Sequence, residues 1–205
     1  TPGVYKLSNG VAAPITTFTE RNKRVNSVYG TATLSYANKI FLDVTGRNDW
    51  SSTLPSGNNS FFYPSVSTSF ILSDLLRLPE QISFAKLRAS WAQVGNDTAP
   101  YKTAKYYNTS AFPGSASVSP TLYNARFKPE ISNSIEVGLD WRMFKQRFGL
   151  DLAFYNNITR NQILDVPMDQ TTGYTKATMN SGKVRNRGIE LQLDGTPVKT
   201  KNFTW

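Results

Sequence analysis

The sequence predicts an all-β chain, an antiparallel transmembrane β-barrel segment that forms part of a larger barrel. Three observations carry that reading. The dominant hydrophobic period is two rather than 3.6. The connections between strands alternate between short and long, the pattern of an outer-membrane barrel. The second face of the strands holds charges of both signs in mid-strand, which suits a water-filled lumen better than a packed interior.

The elements follow in order. Val28, Gly30, Ala32, Leu34 and Tyr36 share one face, and Ser27, Tyr29, Thr31, Thr33 and Ser35 the other. After the short turn at Asn38-Lys39, Ile40, Leu42, Val44 and Gly46 alternate with Phe41, Asp43, Thr45 and Arg47, so the two segments read as an antiparallel hairpin. The same alternation places strands around Phe62–Leu72, Ala85–Ala92, Ser134–Met143, Gly149–Tyr155 and Gly188–Asp194. Each is about ten residues long, the length of a tilted membrane-crossing strand. Between them, Ser73–Leu78 reads as about one helical turn, with Ser73 as cap and Pro79 as stop. Asn38-Lys39, Lys145-Gln146-Arg147 and Pro197–Asn202 are short connections at one end. Ser51–Ser60, Gly95–Pro129 and Asn161–Gly182 are longer connections at the other. Connections above about 12–15 residues are unusual in a compact soluble domain.

Composition excludes several chemistries. The 205 residues contain no His and no Cys, so imidazole catalysis, thiol nucleophiles, disulfides and Cys-ligated metals are all ruled out. The longest apolar run, Leu152–Tyr155, is far short of a transmembrane helix. No signal peptide or initiating Met is present, and the chain reads as a segment of something longer. Phosphate-binding loops, calcium loops and dinucleotide fingerprints are absent, so no cofactor is expected.

A soluble β-sandwich would share the alternation. Aromatics near the strand ends (Tyr36, Trp50, Phe62, Trp91, Trp141, Phe148, Tyr155) favour the barrel, because interfacial girdles are built this way.

The residues expected to line the lumen are Asp43, Arg47, Lys86, Arg88, Glu136, Asp140, Arg142 and Glu190, with Asp151 and Asp194 as further mid-strand charges. They are candidates for ligand contact or for pairing with an internal domain; ion pairs within the wall and plain lumen lining are the favoured explanation. Glu136, Asp140 and Glu190 lack a nucleophile or a partner base, so no enzyme activity is expected. The long connection carries Tyr101, Tyr106, Tyr107, Phe112 and Tyr123, aromatics suited to stacking on sugar rings or packing on a partner. Basic residues gather toward the same end: Lys102, Lys105, Arg126, Lys128, Arg160, Lys176, Lys183, Arg185 and Arg187. No nucleic-acid-binding pattern accompanies them; outer-leaflet lipid phosphates are one possible counterpart and plain solvation the other.

Several stretches, in order, resemble the SusC-like TonB-dependent outer-membrane transporters (the RagA/SusC group), in the middle to late part of the barrel. They are Arg24–Gly30 leading to Ile40–Arg47, Phe62–Ser67, Ala85–Asn96, Phe127-Lys128-Pro129-Glu130 with Ser134–Asp140, and Asn180-Ser181-Gly182 with Asn186–Leu191. Trp91 and Val94 stand where Tyr and Thr are commoner in that family. The resemblance implies a barrel of 22 strands in the bacterial outer membrane and a role in importing oligosaccharides or peptides. It further implies a SusD-like surface lipoprotein as partner, TonB acting through an N-terminal box, and a plug domain, the last two lying outside this chain. On this view residues 1–205 are part of one barrel domain, with 1–23 leading in from an extracellular loop and 95–129 forming a long extracellular loop. A passive porin-type barrel and a soluble glycan-binding sandwich remain the alternatives.

Overall fold

The computed structural model describes residues 20–109, 114–201 and 203–205. Its main body is one antiparallel sheet of seven strands. In chain order the elements are β1 (Val25–Tyr36), β2 (Ile40–Ser51), β3 (Ser60–Ile71), α1 (Leu72–Leu75), β4 (Ile82–Asn96), β5 (Tyr107–Thr109), β6 (Ala116–Val118), β7 (Thr121–Leu122), β8 (Glu130–Met143), β9 (Phe148–Arg160), β10 (Ile163–Pro167), β11 (Lys176–Asn180) and β12 (Lys183–Gly195). The sheet order is β1-β2-β3-β4-β8-β9-β12, each strand paired with its neighbour in sequence along the wall. The strands are two to five residues longer than the roughly ten-residue segments the alternation marks out.

Register carries the alternation across the whole sheet. One row runs Leu34–Leu42–Thr68–Ala89–Val137–Phe154–Ile189 and is apolar but for Thr68. The adjacent row runs Thr33–Asp43–Ser67–Ser90–Glu136–Tyr155–Gly188 and is polar. Because the side-chain period is two, every second row falls on the same face.

No second layer covers the apolar face among the described residues. Among the described residues the buried hydrophobic side chains are Leu54, Ala85, Phe127, Ala153 and Ala177, while Leu34 is 63% and Ile189 71% exposed. A sandwich would bury that face against a partner sheet, whereas here it is left for lipid. The upper edge of the apolar band also slides. It lies at Phe62 on β3 but at Ile189 on β12, whose row meets β3 six residues lower, at Thr68. At about 3.4 Å per residue and 4.8 Å between strands, that slip corresponds to strands tilted by about 45° from the membrane normal. Among the described residues no helix is long and apolar enough to cross a membrane.

The short connections are tight. Ala37 and Asn38 both adopt left-handed conformations, and the Lys39 amide donates to the Tyr36 carbonyl at 2.9 Å, the geometry of a type I′ hairpin turn. Phe144, Lys145 and Gln146 are left-handed in succession. α1 departs from expectation: its N-cap is Ile71 with no side-chain capping bond, and Ser73 lies inside the turn. The turn starts directly from the last residue of β3, so Ser73 falls inside it rather than at its cap, and the backbone is extended again by Leu76.

The long connections are ordered rather than simply looped. β5 pairs with β6, β10 with β11, and β11 runs parallel to β7. The described parts of the two connections, 97–109 with 114–129 and 161–182, are thereby joined, and the Thr175 amide donating to the Pro120 carbonyl at 2.9 Å adds to the join. Sequence alternation gives no sign of these strands, because each spans at most five residues.

Candidate functional site

The polar face is organised by arginines that reach over glycines. Arg88 of β4 stands opposite Gly138 of β8. Its guanidinium crosses that strand and binds Asp151 of β9 with two hydrogen bonds, at 2.9 and 3.1 Å. Arg142 of β8 repeats the arrangement: it faces Gly149 of β9 and binds both oxygens of Asp194 on β12 at 2.9 Å. A β-carbon at either glycine would run into the arginine lying over it. Glycine in these strands therefore marks a close approach. Glu136 adds a longer contact to Arg88 at 3.7 Å, and Asp140 accepts from Arg142 at 3.0 Å. Asp140 and Asp151 stand directly opposite each other, a like-charge pair offset by these two arginines.

Asp43, Lys86, Arg88 and Glu136 line one cleft of about 240 Å³ together with Ser67, Ser69 and Ser90. Asp43 accepts from Thr33 at 2.7 Å. Arg88 and Glu190 border a neighbouring cleft with Asp151 and Gln192. Arg47 lies apart, closer to the long-connection end. It donates to Asp49 at 2.8 Å and to Ser27 at 3.0 Å, stacks over the Tyr63 ring, and Tyr63 in turn donates to Asp49. Asp49 and Tyr63 were not singled out in the sequence, although Asp49 stands two residues from Arg47 and so on the same face.

Among the aromatic candidates, Tyr101, Tyr106 and Tyr123 line a cleft of about 340 Å³ with Arg21, Lys102 and Asn108. Tyr101 and Tyr106 meet edge to face with ring centres 6.2 Å apart. Tyr107 is exposed and does not line this cleft, and Phe112 lies outside the described residues. Arg21 is the member that sequence reasoning missed, as it lies far from the loop in sequence. Lys105 faces the Tyr174 ring at 5.4 Å, and the phenol holds its ammonium above the usual lysine range.

The base of this body is pinned at the rim of the sheet. Phe127 is 0% exposed. Asn180 accepts from the Lys128 amide at 2.9 Å and donates to the carbonyls of Lys128 and Asn161 at 2.9 and 2.8 Å. Glu130 accepts from the Ile163 amide at 2.7 Å and from Asn96 at 3.2 Å. Three motifs that are distant in sequence thus close on one another through Asn96, Glu130 and Asn180. Beyond the rim, Asp165 accepts from Lys176 at 2.8 Å and Thr178 at 2.6 Å, which hold its carboxyl below the usual carboxylate range.

The girdle expectation needs one correction. Tyr36, Trp50, Phe62, Trp91, Trp141 and Phe148 fall on apolar rows, but Tyr155 shares its row with Glu136 and Asp43 and lies on the polar face over Gly188. Among the described residues no cluster of acidic side chains could hold a metal ion.

A single tilted sheet, bare and apolar on one side and lined with ion pairs on the other, is the wall of a wet-centred membrane barrel. The chain belongs to the family described as TonB dependent receptor-like, beta-barrel, which it matches over residues 3–205, and is a segment of an outer-membrane protein. It is 32% identical over 191 residues to a TonB-dependent receptor of Formosa agariphila, covering 89% of this chain and 19% of that protein. It is 26% identical to the TonB-dependent receptor SusC of Bacteroides thetaiotaomicron, covering 93% of this chain and 20% of that one. The chain spans about a fifth of the length of these relatives. In fold it is similar to the RagAB peptide importer in its open-open state, with a TM-score of 0.79 at 24% identity over 97% of this chain and 23% of that one. It is also similar to the siderophore receptor PirA of Acinetobacter baumannii, with a TM-score of 0.60 at 19% identity over 83% of this chain and 25% of that one. The named relatives are receptors and transporters, not enzymes.

Proposed function

We propose that this chain is a wall segment of a TonB-dependent importer that takes up oligosaccharides or peptides together with a SusD-like surface lipoprotein. The long-connection end faces outward, and the cleft of Tyr101, Tyr106 and Tyr123 belongs to the entry side. The polar face lines the lumen, where Lys86, Glu136 and Glu190 face the plug or the passing substrate. The arginine pairs Arg88–Asp151 and Arg142–Asp194 keep the wall rigid and wettable. TonB acts through a box and plug outside this chain.

The observation that carries this reading is the joining of two long connections into one ordered body with an aromatic cleft, on a barrel whose relatives include SusC. Long ordered loops of this kind commonly serve binding. The fold leaves no place for the sandwich alternative. A passive porin shares the wall and is separated by experiment. The intact protein is purified from outer membranes in detergent and its companions identified. A SusD-like lipoprotein in stoichiometric amount, with a bound glycan or peptide, is expected. Purification without a lipoprotein, together with uptake that persists when TonB is deleted, overturns the importer reading in favour of the porin.

A further inference from the structure

Four cations sit on the membrane side of the wall. On β9 and β12 the apolar face is formed by Leu150 with Leu193, Leu152 with Leu191 and Phe154 with Ile189. Continuing toward the long-connection end, the next rows of the same face are Asn156 with Arg187, Ile158 with Arg185 and Arg160 with Lys183. The alternation of the pleat keeps Arg185 and Arg187 on this face whatever strand pairs with the free edge of β12. The intervening rows, which point to the lumen side, hold Asn157 with Asn186 and Thr159 with Val184 and are uncharged. No carboxylate shares the upper rows of the lipid face on these two strands, and none of the four cations makes an ion pair among the described residues. Arg185 is steadied by Asn156, which accepts from its Nε at 2.7 Å; its two terminal nitrogens remain open.

Solvation alone does not account for this placement. The cations begin directly where the apolar band ends, which is the level of the lipid headgroups. Arginine forks match phosphate oxygens in geometry as well as charge. We propose that Arg160, Lys183, Arg185 and Arg187 form a binding site for the phosphate groups of an outer-leaflet glycolipid of the lipid A type, whose acyl chains lie along Leu191, Leu193 and Ile189. The site rests on the outward orientation proposed above.

The test uses the intact protein in detergent micelles, with native mass spectrometry reading retained lipid A. The wild type is expected to retain lipid A and not its dephosphorylated form. Each cation at an anionic lipid surface contributes on the order of fivefold in affinity, so the variant R160Q/K183Q/R185Q/R187Q is expected to retain at least about tenfold less. The loop variant R126Q/K128Q is expected to behave as wild type. Equal retention by the quadruple variant, or equal retention of the dephosphorylated lipid, overturns the site. Where the quadruple variant fails to run as a heat-modifiable folded barrel, R185Q/R187Q takes its place with the same readout. An epitope inserted at Gln170–Thr172 reports orientation separately. Staining on intact cells without charge-dependent retention defeats the lipid site alone, whereas absent staining defeats the orientation and the site with it.

Discussion

Arg88 and Asp151 are bonded to each other although a whole strand lies between them, and Gly138 on that strand is what lets them meet. A side chain at 138 would displace the guanidinium. Gly138→Val is therefore expected to destabilise the folded barrel by about 1–3 kcal/mol through overpacking. Urea unfolding of the intact protein in lipid vesicles measures it. Combined with Asp151→Asn, the two losses are expected to be less than additive, because both remove one interaction.

The rim depends on Asn180. Its side chain satisfies the Lys128 amide and two carbonyls, so Asn180→Ala is expected to cost about 1–3 kcal/mol of local stability by leaving those groups unpaired. Trypsin provides the readout: cleavage after Arg126 is expected to accelerate in the variant while the strands stay resistant.

The aromatic cleft makes a discriminating prediction. Tyr101→Ala and Tyr106→Ala are each expected to weaken binding of the co-purifying ligand by about thirtyfold, the lower bound for an interface hot spot. Tyr107→Ala is expected to leave binding unchanged, since Tyr107 does not line the cleft. Isothermal titration with the eluted ligand compares the three.

The β10–β11 hairpin is expected to loosen in acid. The Asp165 carboxyl is held below its ordinary value chiefly by Lys176 and then by Thr178. Its contribution to stability is therefore present above the unfolded value of about 3.9 and is lost as pH falls through the lower folded value. The chain has no Cys, so a spin label at Gln170→Cys is unique within it. The label's spectrum is expected to sharpen below about pH 4, and Asp165→Asn to be mobile already at neutral pH.

The large strands were legible because period-two alternation persists over a dozen residues, long enough to separate lipid-facing from water-facing positions. The short turn at Asn38-Lys39 also gave the pairing of β1 with β2. What could not be read was anything set by contacts across the wall. Asp49 follows Arg47 by two residues on one face, but only the register brings Ser27 and Tyr63 to that pair. Alternation alone gives Gly138 and Gly149 no role, which comes from the arginines lying over them. Tyr155 matched an interfacial aromatic by composition, but its parity puts it on the other face. The loop strands are too short to show a period, and Arg21 is brought to Tyr101 by the fold alone.

For the importer proposed above, the ladder from β1 to β12 also restricts where cargo could go. Each strand is hydrogen-bonded to its neighbour, β3 and β4 over Ser65–Ile71 and the others over longer stretches, and in hydrocarbon each backbone group left without a partner costs several kcal/mol. A solute leaving sideways would have to unzip such a seam with no water to compensate it. Across this arc the bilayer is sealed from the lumen, and movement is confined to the long axis of the cylinder.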